Sequence, residues 1–337
     1  MTLQASGPIS FSQIANEFGT PPGKNLGAYR LDLSIGTLTN LRLDTGVPGP
    51  GQPIGFSSFY NKKLNVVVDL FSIPNNSQRL IARARYPGNT IPVVPPGTSK
   101  SNPAVTSGTR VIINVNKIIG SDNSKTNINQ VAVRTGTWDT GTQLEMEIGP
   151  NAEIYGAGGN GGNGGSSQQA GFPGGFGTSA LGIDFPTTVV NKGYIQAGGG
   201  GGGGGSWINR TTRTGFITRN RRERRSAGNG GGGGAGFPLG TGGAGGIAGA
   251  NNGNPGIGGT FRTGGAGGTN GGAGGAGGTG GSGGRSGTAG AAGDAAGGAA
   301  GAGGRAIIIY NNGSGTTITN VGVGTVIGTT IFNTPPQ

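Results

Sequence analysis

Between Gly156 and Gly304 the chain reads as runs of glycine broken by Ala, Thr, Asn and Ser. It runs Gly156-Ala157-Gly158-Gly159-Asn160-Gly161-Gly162, is unbroken from Gly198 to Gly205, and continues as GGA, GGT and GGS units from Gly264 to Gly284. Glycine adds no side chain to a core and loses more backbone entropy on ordering than any other residue. Left alone, such a tract stays unstructured. If it orders, few geometries are open. An α-helix loses about 1 kcal/mol per glycine relative to alanine. A sheet gains nothing from cross-strand side-chain pairs. Polyproline II remains: at three residues per turn, a GGX period puts X on one edge and bare backbone on the other two. Two glycines in three with little proline from Gly264 to Gly304 argue against a collagen triple helix. Several such helices packed side by side would bond through their main chains, since none bonds within itself. The tract therefore predicts a compact bundle of glycine helices held by backbone contacts.

The rest of the composition narrows the function. A length of 337 residues permits two or three domains. Only 31% is hydrophobic, concentrated before Tyr155 and after Arg305, so conventional folds are limited to those flanks. Without cysteine or histidine there are no disulfides, no Cys or His zinc site, no thiol nucleophile and no His-based triad. The 12 acidic residues show no obvious acid/base pair, although a glycosidase-type pair distant in sequence stays open. The expectation is a protein that is not an enzyme, with no catalytic residue, metal or cofactor. No stretch approaches the roughly 20 apolar residues of a membrane span. The start Met1-Thr2-Leu3-Gln4-Ala5-Ser6 has neither the basic nor the apolar part of a signal peptide, which predicts synthesis and assembly in a cytoplasm.

Four segments follow along the chain. Residues 1–63 open with Ser10-Phe11-Ser12-Gln13, a capping-box pattern, and predict a short helix ending at Phe18 before Gly19. Ile9, Phe11, Ile14 and Phe18, with Phe56, Phe59 and Tyr60 further on, form an apolar set too small to fold alone; they read as a segment that docks on a neighbouring protein, against the plainer reading of a flexible tail. Residues 64–150 carry strand patterns at Leu64–Leu70, Arg79–Tyr86, Arg110–Val115, Asn129–Arg134 and Gln143–Ile148, predicting a small antiparallel sandwich. Trp138 reads as packing. Residues 151–305 are the glycine tract with inserted loops, and residues 306–337 read as closing strands. Ile148–Tyr155 and Val189–Gln196 share a form, an aliphatic strand, an Asn turn, then Ile before glycine, and Ile307–Gly313 looks related.

The opening Met1–Ile14 with Glu17-Phe18-Gly19 resembles the start of many tailed-bacteriophage virion proteins. The strand–Asn–strand–polyglycine units resemble tail-fibre proteins and the distal tail-fibre adhesins of T-even-like phages. That resemblance implies a sandwich of polyproline II helices whose intervening loops, at its tip, contact the bacterial receptor. It also implies a virion tail location and other tail or baseplate proteins as partners of the N-terminal segment. The receptor would be a bacterial surface glycan or outer-membrane protein. A homotrimer fits the threefold habit of fibres, though no residue indicates it. No nucleic acid and no membrane insertion are expected.

If glycine helices form the scaffold, contact falls to the segments that interrupt them. The longest polar interruption runs from Ser206 to Gly228. It carries Trp207, Arg210, Arg213, Phe216, Arg219, Arg221, Arg222, Arg224 and Arg225, opposed only by Glu223, within a chain of net charge +12. Arginine forks suit phosphate and carboxylate, and an aromatic ring beside them can stack on a sugar. The segment therefore reads either as a receptor-binding tip for phosphorylated or acidic glycans or as a solvated charged loop. Two other functions stay open: an Arg/Gly-rich nucleic-acid binder, against which the arginines are gathered in one loop rather than interleaved with glycine, and a purely structural fibre or baseplate part.

Overall fold

The computed structural model describes residues 3–18, 25–29, 47–48, 51–62, 66–69, 110–116, 118–121, 128, 131–135, 141, 143–166, 168–213, 221–247, 252–269, 284, 287–294, 297–310, 313–322 and 324–334. The strand read at Arg79–Tyr86 and Trp138 lie outside these residues.

The N-terminal unit forms as its capping pattern predicts. The Gln13 N–H donates to Ser10 Oγ at 3.2 Å while the Ser10 N–H donates to Gln13 Oε1 at 2.7 Å. This starts helix α1, Phe11–Phe18. Short 3₁₀ turns at Leu26–Tyr29 and Phe56–Phe59 complete the unit around a small core of Ile14, Val47 and Phe59.

The strands are β1 Val66–Asp69, β2 Arg110–Val115, β3 Ile118–Gly120, β4 Val131–Arg134, β5 Gln143–Ile148, β6 Glu153–Tyr155, β7 Ser179–Ile183, β8 Thr187–Asn191, β9 Tyr194–Gln196, β10 Ile208–Arg213, β11 Arg221–Ser226, β12 Ile307–Tyr310, β13 Thr317–Asn320, β14 Thr325–Ile327 and β15 Thr330–Thr334. They build a five-stranded sheet in the order β1-β2-β5-β8-β13 and four-stranded sheets in the orders β14-β9-β6-β3 and β15-β12-β7-β4. Every pairing in these three sheets is parallel. The antiparallel sandwich read for residues 64–150 is therefore corrected. Alternation such as that of β5, whose Leu144, Met146 and Ile148 face inward, is the same for either pairing. The pairing is decided by what joins the strands, and parallel neighbours need a long crossover. Between β5 and β8 that crossover is an excursion out and back through glycine. Strands from 64–150 consequently share sheets with strands from the glycine-rich stretch and the C-terminal residues.

The repeated form is real in space. β2–β3, β5–β6, β8–β9 and β13–β14 are successive copies of one bent strand pair, stacked in register. At each bend the chain donates to the copy before it: the Gly149 N–H to the Val115 carbonyl, Lys192 to Ile148 and Val321 to Asn191, at 2.8–2.9 Å. Asn191 is buried in its bend, where its amide donates to Asn320 Oδ1 at 2.9 Å and its own Oδ1 accepts from the Gly193 N–H. The β13–β14 pair, not Ile307–Gly313, is the copy that follows β8–β9; Ile307–Tyr310 is β12 of the opposing sheet. Inward side chains of all three sheets, among them Ile113, Met146, Ile154, Leu181, Ile195 and Ile307, form one core. The outer face of the third sheet holds a buried ion pair, Arg134 on Asp184 at 2.6 Å, with the guanidinium 4.4 Å from the centre of the Tyr310 ring. Burial opposes the charge on Arg134, yet the hydrogen bond and charge of Asp184 outweigh it and its pKa is raised.

Beyond the sheets the backbone forms a lattice with a period of three. The N–H groups of residues 156, 159, 162 and 165 donate to carbonyls 196, 199, 202 and 205, while those of 158, 161 and 164 donate to 238, 241 and 244. Segment 198–205 donates from 198, 201 and 204 to 178, 175 and 172, and from 199, 202 and 205 to 235, 232 and 229. These bonds are 2.7–2.9 Å long. The spacing leaves no room for a Cβ. At positions 158, 159, 161 and 162 one would lie 2.0–2.2 Å from a carbonyl oxygen of a neighbouring segment. Within 198–205, one at positions 198, 200, 201, 203 or 204 would lie 1.9 Å from such an oxygen. Side chains survive at every third place, where Asn160, Asn163 and Ser166 use theirs to accept the N–H groups of Thr241, Ala244 and Ile247. The unbroken Gly198–Gly205 run is central, bonded on several sides at once.

One aromatic joint ties this lattice to the sheets. The Phe261 ring lies 5.6 Å from Tyr155 and 5.2 Å from Phe237, centre to centre. Arg262 sits 4.8 Å from the centre of the Tyr194 ring and 3.6 Å from the Glu153 carboxylate. Burial, then the hydrogen bond with Glu153, pushes the Tyr155 hydroxyl up to about 12.

The lattice predicts an inverted tolerance. Gly201→Ala drives a methyl into the Asn160 carbonyl between main chains that have no flexible atoms to give, and should cost about 3 kcal/mol, the upper end for overpacking. Thr241→Ala, at an exposed third position, should cost less than about 0.5 kcal/mol. Thermal melts of the two variants decide; equal effects would defeat the steric account.

Candidate functional site

The lattice has two ends. At one, its segments enter and leave β6, β7, β9 and β12. At the other, the chain reverses at the 166–169 turn, the excursion 206–226, the 247–252 connection and the 294–297 turn. Contacts confirm that these reversals are neighbours. The Trp207 N–H donates to the Gln169 carbonyl at 3.3 Å, the Ile247 N–H to Ser166 Oγ at 2.7 Å and the Gly253 N–H to the Gly246 carbonyl at 2.9 Å.

The 206–226 excursion is an antiparallel hairpin, β10 with β11. Its first foot is Ser206, whose N–H and Oγ both donate to the Asp294 carboxylate, at 2.9 and 2.7 Å. Its second foot, Ser226-Ala227-Gly228, is buried, and the Gly228 N–H donates to the Gly165 carbonyl at 2.9 Å. Between the feet the register sets Arg210 opposite Arg224, Arg213 opposite Arg221, Thr212 opposite Arg222, Asn209 opposite Arg225 and Thr211 opposite Glu223. The two strands together carry six arginines and one glutamate. Like charges at directly opposed register positions are destabilising. Such an array is satisfied by an anion that reaches several guanidinium groups.

Of the predicted receptor-binding residues, the hairpin thus gathers Trp207, which is half-buried, with Arg210, Arg213, Arg221, Arg222, Arg224 and Arg225. Phe216 and Arg219 lie outside the described residues. The predicted docking set lies in the N-terminal unit. Ile14 and Phe59 are fully buried in the unit's own core, with Ile9 and Phe11 packed against them. The Tyr60 hydroxyl donates to the Gly7 carbonyl. Phe18 ends α1, and Phe56 is 43% exposed. Sequence reasoning overlooked Ser206, Gln169 and Asp294 at the hairpin's feet. A signal existed for the last: after Asp184 the chain has two carboxylates, Glu223 and Asp294.

Comparison with known proteins then decides the family. The family described as Phage tail fibre adhesin Gp38 matches residues 97–331. The chain belongs to this family of phage tail fibre adhesins. It is a receptor-binding protein of the virion tail. A solved structure, the gp37–gp38 adhesin tip complex of the bacteriophage S16 long tail fibre, is similar over 97% of this chain and 100% of that chain, at 20% identity and a TM-score of 0.34. No match was found among curated proteins.

The adhesin has another polar site, at the opposite end from the hairpin. The starts of β2, β5 and β8 surround a groove of about 320 Å³ lined by Arg110, Gln143, Glu145, Pro186, Thr187 and Gly315 among others. Arg110 donates to the Glu145 carboxylate at 2.7 Å. One step along β5, on the same face, burial and the charge of Glu145 raise the pKa of Glu147 above its ordinary value, against the pull of Lys192 and Arg110. A carboxyl raised by folding contributes its stability in full below its unfolded pKa and loses it as pH rises through the folded value. Glu147→Gln should therefore raise the melting temperature at pH 7, by an amount that shrinks toward pH 3.5, below the unfolded carboxyl near about 4.3. Melts at the two pH values test this, and a variant less stable at pH 7 would reverse the sign assigned.

Proposed function

We propose that the hairpin end of the glycine lattice is the receptor-contacting tip of this adhesin, with β10–β11 foremost, and that its ligand is an anionic group of the host surface such as a phosphorylated or acidic glycan. The observation that carries the reading is the register of the hairpin. It sets Arg210 against Arg224 and Arg213 against Arg221 at the lattice end remote from the sheets. Guanidinium forks bind phosphate and carboxylate in two-pronged fashion, and Trp207 at the hairpin's foot offers an adjacent ring.

We read the scaffold as packed polyproline II helices. The three-residue hydrogen-bond period and the closeness of the main chains support this, since that helix has three residues per turn and no bonds of its own. Residues 1–63 act as the docking unit toward another tail or fibre protein, with exposed Phe56 as its outward anchor. Residues 64–150 supply the first strands, 151–305 the lattice and its loops, and 306–337 the strands that close it.

The decisive comparison is host adsorption by virions carrying Arg222→Glu with Arg224→Glu, or lacking 207–225. Both should slow adsorption at least tenfold while the adhesin is incorporated normally; unchanged adsorption by fully loaded virions would remove the hairpin from the site. Separately, protein lacking residues 1–63 should fold but be missing from purified virions on immunoblots, and its incorporation at the normal level would end the docking assignment.

A further inference from the structure

The hairpin stands on two feet of different chemistry. Its second foot is held by main-chain bonds of the lattice, the Gly228 N–H donating to the Gly165 carbonyl at 2.9 Å. Its first foot is held by a side chain. Asp294 comes from the turn 294–297, 88 residues further along the chain, and accepts from both the N–H and the Oγ of Ser206. That turn is itself pinned: the Gly297 N–H donates to the Asp294 carbonyl at 2.7 Å, and the Gly298 N–H donates to the Gly204 carbonyl at 2.7 Å, two residues before Ser206. A Cβ at Gly297 would lie 2.8 Å from Asp294 Oδ1, so the glycine leaves the carboxylate its place. Two hydrogen bonds to an ionised acceptor are stronger than two neutral ones, and here they act on the residue where the chain leaves the lattice. They also set a negative charge at the base of a hairpin that carries seven arginines and one glutamate.

We infer that Asp294 is a positioning residue for the receptor-contacting hairpin: its carboxylate clamps Ser206 and fixes the direction in which β10–β11 leaves the lattice. This rests on the hairpin being the contact element, but the clamp itself can be read without the host. The hairpin's arginines make it its own reporter, because trypsin cuts after arginine only where the strand opens. Purified adhesin carrying Asp294→Ala should be cut between Arg210 and Arg225 about tenfold faster than the unaltered protein, with sites assigned by mass spectrometry and the main melting transition retained. Asp294→Asn, which keeps an acceptor for the Ser206 N–H, and Ser206→Ala, which loses one bond, should fall between. These milder variants decide the matter if Asp294→Ala does not fold. Cleavage as slow in the variants as in the unaltered protein overturns the clamp. Faster cleavage with slower adsorption of the corresponding virions supports both clamp and tip. Faster cleavage with unchanged adsorption supports the clamp and overturns the hairpin's role in receptor contact.

Discussion

Main chains in direct contact are the interaction on which this molecule depends. A glycine loses about 1–2 kcal/mol of backbone freedom on ordering, and a net hydrogen bond returns about 0.5–1.5 kcal/mol. One bond per residue to one neighbour therefore leaves such a segment near balance. The lattice moves beyond it by surrounding its segments: 198–205 bonds to segments that begin at 156, 169, 228 and 297. Each contact brings carbonyl oxygens and Cα atoms close enough for dispersion and weak Cα–H···O attraction, which large side chains would prevent. Density of packing takes the place of apolar side chains, and only glycine permits that density.

Such a lattice is poorly placed to start itself, since among the described residues its segments bond to one another rather than within themselves. The sheets supply what is missing. Several segments are tied at one end to a strand whose side chains enter a single core, so Ile154 and Ile195, three residues before Ala157 and Gly198, set the register of two neighbouring segments. The offset of 41 residues that pairs Ile154 with Ile195 continues into the lattice as the offset of 40 that pairs the N–H of 156 with the carbonyl of 196. Parallel pairing follows from the same arrangement, because every segment that leaves for the far end must return before the next strand can be laid down.

Much of this was legible in the sequence, and the parts that were not share a cause. Ser10 and Gln13 announce α1 because capping is local. Glycine density even reports position: GGX segments such as 156–165 keep side chains on one edge, whereas Gly198–Gly205 is buried throughout. The direction of strand pairing was missed because alternation within β5 is indifferent to its partner. Thr325–Phe332, within the stretch read only as closing strands, is divided between two sheets, and the corner is at Gly328, whose φ of 119° few other residues adopt. At the N-terminus the hydrophobicity of the aromatics was visible and their packing was not: Phe59 joins Ile14 in one small core across more than forty residues. At the hairpin, the arginines were plain in composition, but facing pairs such as Arg210 with Arg224 required the register.

The same physics separates scaffold from specificity. Within the lattice, two positions in three admit no side chain, so little chemical variety is available there. At the reversals the constraint ends abruptly: once the last carbonyl has been paired, the chain is free to take any composition and length that returns it to the next segment. Under the proposed reading, the receptor-binding tip is this unconstrained remainder. A hairpin of facing arginines costs repulsion that an oily core would have to offset, yet here its feet are gripped by backbone bonds and by the Asp294 carboxylate, and the charged part extends beyond both. The scaffold therefore does not need the hairpin's side chains in order to fold, and under the proposed reading the hairpin keeps its charges for an external anion.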